Sequence, residues 1–404
     1  MKNDVVIIGA GHAGGMTAIA LRQQKYQGSI TLIGEENVLP YQRPALSKGF
    51  LAGEVEEKRL YLKSQDYFDK NKINIIRNCA VVAIDKNNRT VSLENQKQLG
   101  YEKLVIATGS MVKKLNINSG AADFYYLRTL EDSLKIREKL RNKNKITIIG
   151  AGYIGLEIAS IAIKQNLEVN IVELGNRVMG RVVSSEVSNF FQEKHLSEGV
   201  EFKLNTSITD IKAQGQHKRV ICSDGSAFNT DIVVIGIGIK PNIELAQSSG
   251  LMCDNGVLVD DNGQTSDPHI FAVGDCSNHP NNIFKQRLRL ESVQNAVEQA
   301  KTVAASIAAN HKPYHEVPWF WSDQYNIKLQ IAGISQDHDH HVVRGYPKEE
   351  KFAVFYQKEK RIIAVDAINS PKEFMVGKKW IERQAKIPFE LIRNMSIDLK
   401  TIRE

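Results

Sequence analysis

Residues 5–14 read VVIIGAGHAG, and residues 146–155 read ITIIGAGYIG. Each stretch joins a short β-branched run, typical of a buried strand, to glycines in the pattern Gly-x-Gly-x-x-Gly and then to an apolar-periodic segment typical of a helix. The first glycine permits a tight turn, the second lets backbone N–H groups approach a pyrophosphate, and the third lets the helix pack closely on the strand. The helix N-terminus then faces the phosphates with its positive dipole end. Two such turns in one chain predict two dinucleotide sites.

The two turns and the acidic residues that follow them supply the first candidate binding residues. The candidates within the turns are Gly9, Gly11, Ala13, Gly14, Gly150, Gly152, Tyr153, Ile154 and Gly155. About 20 residues after each turn, an acidic residue stands at the end of the next predicted strand, as the pattern requires. These residues are Glu35 and Glu173. Because a carboxylate at this position accepts hydrogen bonds from ribose hydroxyls, we expect both to bind ribose.

Length and composition restrict the class of protein. A chain of 404 residues predicts two or three domains. The first predicted strand begins at Val5, which leaves no room for a signal peptide, and no apolar run approaches a membrane span. The four cysteines have neither Cys-x-x-Cys nor metal-ligand spacing, so we expect a reduced, cytoplasmic protein without a metal site. The net charge of +7 favours acidic partners or nucleic acid, although a basic surface without any partner explains it equally well.

Three further predicted strands end at residues where the backbone must pass close to a neighbour. Residues 103–109 read KLVIATG, residues 231–238 read DIVVIGIG, and residues 270–275 read IFAVGD. Their ends add the candidates Ala107, Thr108, Gly109, Gly238 and Asp275.

The order of these segments predicts an α/β fold with two Rossmann-like dinucleotide-binding domains and a C-terminal α+β domain. Residues 1–112 and 240–312 would form the first domain, residues 113–239 the inserted second domain, and residues 313–404 the third.

Several motifs resemble a known family. The two glycine turns, with residues 107–109 (ATG) and 274–275 (GD) in this order, resemble the flavoprotein pyridine-nucleotide reductases of the glutathione reductase fold. Within that fold, four stretches resemble the putidaredoxin reductase and ferredoxin reductase family. They are residues 41–48 (YQRPALSK), 126–132 (YLRTLED), 289–296 (RLESVQNA) and 317–324 (VPWFWSDQ).

The resemblance implies that the first turn binds FAD and the second binds NADH. Glu35 would then bind the adenosine ribose of FAD, and Asp275 would accept a hydrogen bond from its ribityl chain. The residues implied to surround the pyrophosphate and isoalloxazine of FAD are Arg43, Lys48, Val81, Arg128, Val293 and Trp321. Arg43 and Lys48 also lie on a loop after the strand that ends at Glu35, where cations can reach a phosphate or a flavin oxygen.

The identity of the second dinucleotide depends on Glu173. A carboxylate at this position accepts a free 2′-hydroxyl and repels a 2′-phosphate, so NADH is expected in preference to NADPH. Arg177 and Arg181 follow closely and could bind a phosphate, but the carboxylate is weighed more heavily.

A route for electrons through thiols is excluded by composition. Disulfide reductases of this fold carry a cysteine pair after the first βαβ segment, whereas the first cysteine here is Cys79. Electrons are therefore expected to leave singly and directly from the flavin. The family suggests that Lys48 lies beside the flavin and pairs with Glu157, and these two residues are the predicted catalytic pair. Considered alone, Glu157 could equally be a carboxylate favoured by the dipole at a helix N-terminus.

The expected activity is NADH:ferredoxin oxidoreduction. The acceptor would be an acidic [2Fe–2S] ferredoxin of a cytochrome P450 or ring-hydroxylating oxygenase system, docking near the flavin edge. The candidate docking residues are Arg287, Arg289, Lys378 and Lys379. A rubredoxin or monodehydroascorbate reductase is the alternative enzyme. A nucleic-acid-binding flavoprotein like apoptosis-inducing factor is the alternative of another class, disfavoured because basic residues do not interleave with aromatic ones.

Overall fold

The computed structural model describes residues 2–117, 124–141 and 143–403. The strands, in chain order, are β1 (Lys2–Ile8), β2 (Ile30–Ile33), β3 (Ile73–Ile76), β4 (Val81–Asp85), β5 (Thr90–Leu93), β6 (Gln98–Ile106), β7 (Ser110–Val112), β8 (Tyr125–Tyr126), β9 (Lys145–Ile149), β10 (Glu168–Val172), β11 (Val200–Lys203), β12 (Ile208–Gln214), β13 (His217–Cys222), β14 (Ala227–Thr230), β15 (Ile232–Ile235), β16 (Ile239–Pro241), β17 (Val257–Leu258), β18 (Ile270–Ala272), β19 (Ser277–Asn281), β20 (Gln286–Leu288), β21 (Trp319–Gln324), β22 (Ile327–Gly333), β23 (His340–Tyr346), β24 (Lys351–Lys358) and β25 (Arg361–Ile368).

Helices connect most of these strands. The α-helices are α1 (His12–Gln23), α2 (Gly49–Ala52), α3 (Gln65–Lys70), α4 (Leu130–Leu140), α5 (Tyr153–Lys164), α6 (Ser185–Ser197), α7 (Glu244–Ser248), α8 (Val293–Ile307), α9 (Pro371–Glu382) and α10 (Phe389–Arg393). Short 3₁₀ helices span Arg43–Ser47, Glu57–Arg59, Gly274–Cys276, Pro347–Glu349 and Leu399–Thr401. Across the described residues, no helix combines the length and the apolar character needed to cross a membrane.

The chain divides into two compact units. The first comprises residues 1–42, 57–111 and 240–318, and the second comprises residues 43–56, 112–239 and 319–404. Residues 43–56 therefore group with the second unit, as do residues 319–404. The division into three domains made from the sequence stays a prediction.

The first unit is built on a sheet in which β3, β2, β1 and β6 run parallel in that order. β18 also pairs with β6 in parallel, and the antiparallel strands β5 and β4 extend the sheet. Side chains of β1 alternate between two apolar cores: Val5 and Ile7 pack with Ile19 of α1, whereas Val6 and Ile8 belong to the other core. Because both faces are covered, the strand reads as an unbroken apolar run, as parallel strands do.

The second unit contains another parallel sheet and an antiparallel one. The parallel sheet has the order β11-β10-β9-β15-β8, and the C-terminal sheet has the antiparallel order β21-β22-β25-β24-β23. Helix α9 packs on β25. One apolar core contains Leu156 of α5 together with Leu329 and Val354 of the C-terminal sheet. The predicted fold class, two Rossmann-like domains with a C-terminal α+β domain, is thereby confirmed.

Candidate functional site

The first glycine turn, in the first unit, is packed too tightly for side chains. Gly9 has φ +105°, and a Cβ there would lie 2.2 Å from Ala107 O at the end of β6. A Cβ on Gly14 would lie 1.9 Å from Gly9 O. The first and third glycines are therefore required by the close approach of α1 to the sheet.

The second turn repeats this arrangement in the second unit. Gly150 has φ +106°, with a Cβ position 2.5 Å from Gly236 O, and the Cβ position of Gly155 lies 2.1 Å from Gly150 O. Gly152 differs, because a Cβ there would have no atom within 4 Å. Packing does not require glycine at position 152, so the open space in front of it fits the approach of a ligand's phosphates.

Both turns also leave a helix N-terminus without a side-chain cap. The N-cap residues of α1 and α5 are Gly11 and Gly152, which have no side-chain acceptor, and neither first turn contains an acidic residue. In contrast, Thr129 and Ser292 cap α4 and α8 through their side chains. Uncapped first-turn N–H groups need an acceptor, and a pyrophosphate supplies one. The residues at both turns therefore fit the phosphates of a dinucleotide, with Ala13, Tyr153 and Ile154 lying in the first turns of these helices.

The two predicted ribose-binding carboxylates differ in their surroundings. Glu35 follows β2 after one residue and is exposed. Glu173 follows β10 directly, and its two carboxylate oxygens accept hydrogen bonds from Ala151 N and Gly175 N, each at 2.7 Å. These bonds fix the Glu173 carboxylate beside the second turn.

The two arginines after Glu173 are not equivalent. The guanidinium of Arg177 donates to Val183 O at 2.8 Å, Ser184 O at 3.0 Å and Gly180 O at 2.8 Å. These hydrogen bonds stabilise the loop on which Arg177 lies. Arg181 is exposed, and its Nη2 lies 3.6 Å from the Cβ position of Gly238.

The strand-end candidates of the first unit are held by hydrogen bonds. Thr108 Oγ1 donates to Asn242 O at 2.7 Å, and Asn242 N donates to Gly109 O at 2.9 Å. Asp275, in the 3₁₀ helix Gly274–Cys276, accepts from Ser110 Oγ at 2.7 Å. The remaining candidates of this unit are Val81, the first residue of β4, and Val293, the first residue of α8.

Three predicted FAD residues belong to the second unit, as does the predicted catalytic pair: Arg43, Arg128 and Trp321. Arg43 donates from Nη1 to Arg128 O at 2.6 Å, which joins two of the predicted FAD residues. Trp321 lies in β21, half-buried, with its ring centroid 5.6 Å from that of Trp319. Phe320, between them, packs on Tyr153 with ring centroids 4.7 Å apart.

Lys48 and Glu157 form an ion pair. Lys48 Nζ lies 2.8 Å from Glu157 Oε1, and the exposed fractions of the two side chains are 19% and 1%. Ser322 Oγ donates to the same oxygen at 2.6 Å, and Ser47 Oγ donates to Glu157 Oε2 at 2.5 Å. Burial raises the pKa of Glu157, while Lys48 and the two hydroxyls act against that rise.

The sequence did not identify Ser47 and Ser322 as site residues. Both stand inside stretches that carried the resemblance, one residue before Lys48 and one after Trp321, but no pattern shows which hydroxyl meets Glu157. The structure adds them to the site.

The predicted docking residues are partly engaged within their own units. Arg287 Nη2 donates to Val259 O at 2.6 Å and Asn278 O at 2.5 Å, and Arg289 pairs with Glu291 at 2.6 Å. Lys378 and Lys379 lie on α9, half-buried and exposed respectively.

Comparisons with known proteins give a consistent picture. The family described as pyridine nucleotide-disulphide oxidoreductase matches residues 3–300, and the family described as reductase C-terminal matches residues 319–403. Putidaredoxin reductase CamA of Pseudomonas putida is 39% identical, over 99% of this chain and 97% of its own length.

Two solved structures are similar over almost the whole chain. The ferredoxin reductase for the CYP199A2 system of Rhodopseudomonas palustris has a TM-score of 0.96 and 39% identity, covering 99% of each chain. The reductase in the covalent putidaredoxin reductase–putidaredoxin complex has a TM-score of 0.95 and 38% identity, covering 98% of this chain and 97% of that chain.

Proposed function

Since the chain belongs to the family of flavoprotein ferredoxin reductases that includes putidaredoxin reductase, we propose that it carries electrons from NADH through FAD to a [2Fe–2S] ferredoxin of an oxygenase system. The single observation that supports this most is the presence of two uncapped glycine turns in one chain, one in each unit. One turn serves a resident cofactor and the other a diffusing one.

Each turn has a set of residues for its dinucleotide. We assign Gly9, Gly11, Gly14, Glu35 and Asp275 to FAD, with Arg43, Arg128 and Trp321 as further FAD residues. The NADH residues are Gly150, Gly152, Gly155, Glu173 and Gly238. When bound, FAD takes two electrons from NADH and releases them one at a time, which a one-electron acceptor requires.

Lys48 and Glu157 have an electrostatic role in this proposal. Glu157 holds the Lys48 ammonium at a fixed position by an ion pair at 2.8 Å, and burial of the carboxylate strengthens that attraction. A flavin bound beside Lys48, as the family suggests, would meet a fixed positive charge. Neither group needs to transfer a proton.

The acceptor is proposed to be an acidic ferredoxin. A relative of this chain has been seen in a covalent complex with putidaredoxin. Positive groups near the acceptor site would steer a negatively charged partner and make the association rate depend on salt. Lys379 is the best candidate, because Arg287 and Arg289 already bind groups of their own unit. We place the reaction in the cytoplasm, because the cysteines of the described residues are all free.

The test is NADH-driven reduction of cytochrome c by the purified protein, with and without a [2Fe–2S] ferredoxin. Strong stimulation by the ferredoxin, suppressed by added salt, supports the proposal. Lys379→Glu should raise the KM for ferredoxin, whereas Lys164→Glu, an equal charge change at an exposed site on α5, should not. A flavin that is reduced by NADH but is indifferent to every ferredoxin, and transfers electrons to a rubredoxin instead, would contradict the proposed acceptor.

A further inference from the structure

A line of buried polar side chains extends from Glu157 through the second unit. Ser322 Oγ lies 2.6 Å from Glu157 Oε1, and Gln324 Nε2 lies 3.2 Å from Ser322 Oγ. His195 Nε2 lies 2.9 Å from Gln324 Oε1. Each of these three residues is fully buried. Neither His195 nor Gln324 has a role in the proposed function.

The direction of each hydrogen bond follows from the chemistry of the partners. Gln324 Oε1 is a carbonyl oxygen and can only accept, so His195 Nε2 carries the hydrogen. Burial lowers the pKa of His195 to about 4, so the ring is neutral and its Nδ1 accepts from Tyr325 OH at 3.0 Å. Gln324 then donates through Nε2 to Ser322 Oγ.

This direction determines what Ser322 does. Its oxygen accepts from Gln324, and its single hydroxyl hydrogen therefore points to Glu157. A reversed line would place a lone pair of Ser322 Oγ against a buried carboxylate, which is unfavourable. With Ser322 in this orientation, Ser47 and Lys48 complete the set of donors around the carboxylate.

We propose that Gln324, clamped by His195, is a positioning residue that orients the Ser322 hydroxyl and so keeps Glu157 ionised and paired with Lys48. The inference rests on the proposed role of the Lys48–Glu157 pair. Lys48 is the charged partner of Glu157, and the Tyr153 phenol lies close enough to interact electrostatically with the Glu157 carboxylate.

The variant that tests this is Gln324→Glu in the FAD-loaded full chain. A carboxylate at position 324 has the same shape but only accepts, so Ser322 loses the donor that orients it and its one hydrogen is contested by two carboxylates. The second negative charge also opposes ionisation of Glu157. We expect an additional protonated-carboxyl signal in the infrared difference spectrum, variant minus wild type, at neutral pH. Adding Glu157→Gln should remove that signal, because it belongs to Glu157. Flavin reduction by NADH should be about tenfold slower in Gln324→Glu. Gln384→Glu, which places the same charge beside Arg361, is the matched control and should show neither change.

Ser322→Ala provides a second variant, because it removes the donor without adding a charge. It should slow flavin reduction in the same direction, with a melting temperature that shows the chain is folded. Wild-type infrared spectra and rates in both Gln324→Glu and Ser322→Ala overturn the proposal.

Glu157→Gln distinguishes the proposed role of the Lys48–Glu157 pair from the positioning role of Gln324. If Glu157→Gln slows reduction while the Gln324 and Ser322 variants do not, the pair stands and the positioning role of Gln324 is rejected. If Glu157→Gln leaves the rate unchanged, the proposed role of the pair is rejected, and the infrared signal still decides whether Gln324 controls the ionisation of Glu157.

Discussion

Glu173 has a structural role in the second unit, and we propose a binding role for the same carboxylate. Its carboxylate accepts two backbone hydrogen bonds beside the second turn. At the proposed ribose site, the same negative charge would repel a 2′-phosphate. Arg177, which could have offset that charge, donates to three backbone carbonyls instead. We therefore propose that a preference for NADH depends on Glu173, with Arg181 as the cation that could compete.

Glu173→Ala should reduce the ratio of kcat/KM for NADH to that for NADPH about tenfold, or about 1.4 kcal/mol of discrimination. Glu173→Gln removes the charge but keeps one of the two accepting oxygens, so it costs less structure than Glu173→Ala and helps to distinguish the two losses. Glu201→Ala, at an exposed position of β11, is the control. Steady-state kinetics with both nucleotides give the ratio, and an unchanged ratio in Glu173→Ala would remove Glu173 from nucleotide selection.

In the second strand–turn–helix element, Gly155 is needed for packing and Gly152 is proposed to make room for a ligand, so the two glycines should respond differently to substitution. Gly155→Ala places a Cβ 2.1 Å from Gly150 O and should destabilise the fold by about 1–3 kcal/mol or more. Gly152→Ala meets no atom within 4 Å, so the melting temperature should be unchanged while NADH binding weakens. Thermal unfolding and NADH titration of the two variants give the comparison. Equal losses of stability in both would show that Gly152 is also needed for packing.

These turns could be predicted from sequence because their signal is local. The strand, the glycines and the helix lie within ten residues, and the acidic residue follows at a fixed distance. The same locality explains why Glu157 was recognised only as a helix N-terminal carboxylate or through resemblance. Its donors come from Ser47 and Ser322, which are 110 and 165 residues away in the chain.

The same limit applies to the line that ends on Glu157. His195 and Gln324 are 129 residues apart, and neither stands in a pattern that pairs them. The predicted docking arginines show the converse: a run of cations can be seen in the sequence, but the carbonyls that Arg287 binds are visible only in the fold.

At the scale of the whole molecule, buried titratable groups set how stability varies with pH. Burial lowers the pKa of His195 and of His279 to about 4, from an ordinary value of 6.5. As the pH falls below 6.5, the unfolded chain therefore binds these protons before the folded chain does. Between pH 6.5 and pH 4, each histidine lowers the free energy of unfolding by about 3 kcal/mol. Burial raises the pKa of Asp366 to about 7 from 3.8. Its effect therefore has the opposite sign: the contribution of Asp366 to the free energy of unfolding is full below pH 3.8 and is lost as the pH rises towards 7.

Because Asp366 opposes the histidines over the same pH range, Asp366→Asn should make acid unfolding steeper. Between pH 7 and 5 the variant should lose about 2 kcal/mol more of its unfolding free energy than the wild type. Urea unfolding at several pH values measures this, with Asp66→Asn at an exposed site as the control. Parallel curves for Asp366→Asn and the wild type would show that Asp366 is ionised in the folded protein.

The most direct test of the central claim is an anaerobic titration of the FAD-loaded protein with NADH. If electrons pass from NADH to FAD and leave without a thiol relay, the absorbance of oxidised flavin should disappear at one NADH per FAD. A requirement for two NADH per FAD would contradict this account, because a reducible cysteine pair would then be storing the additional electrons.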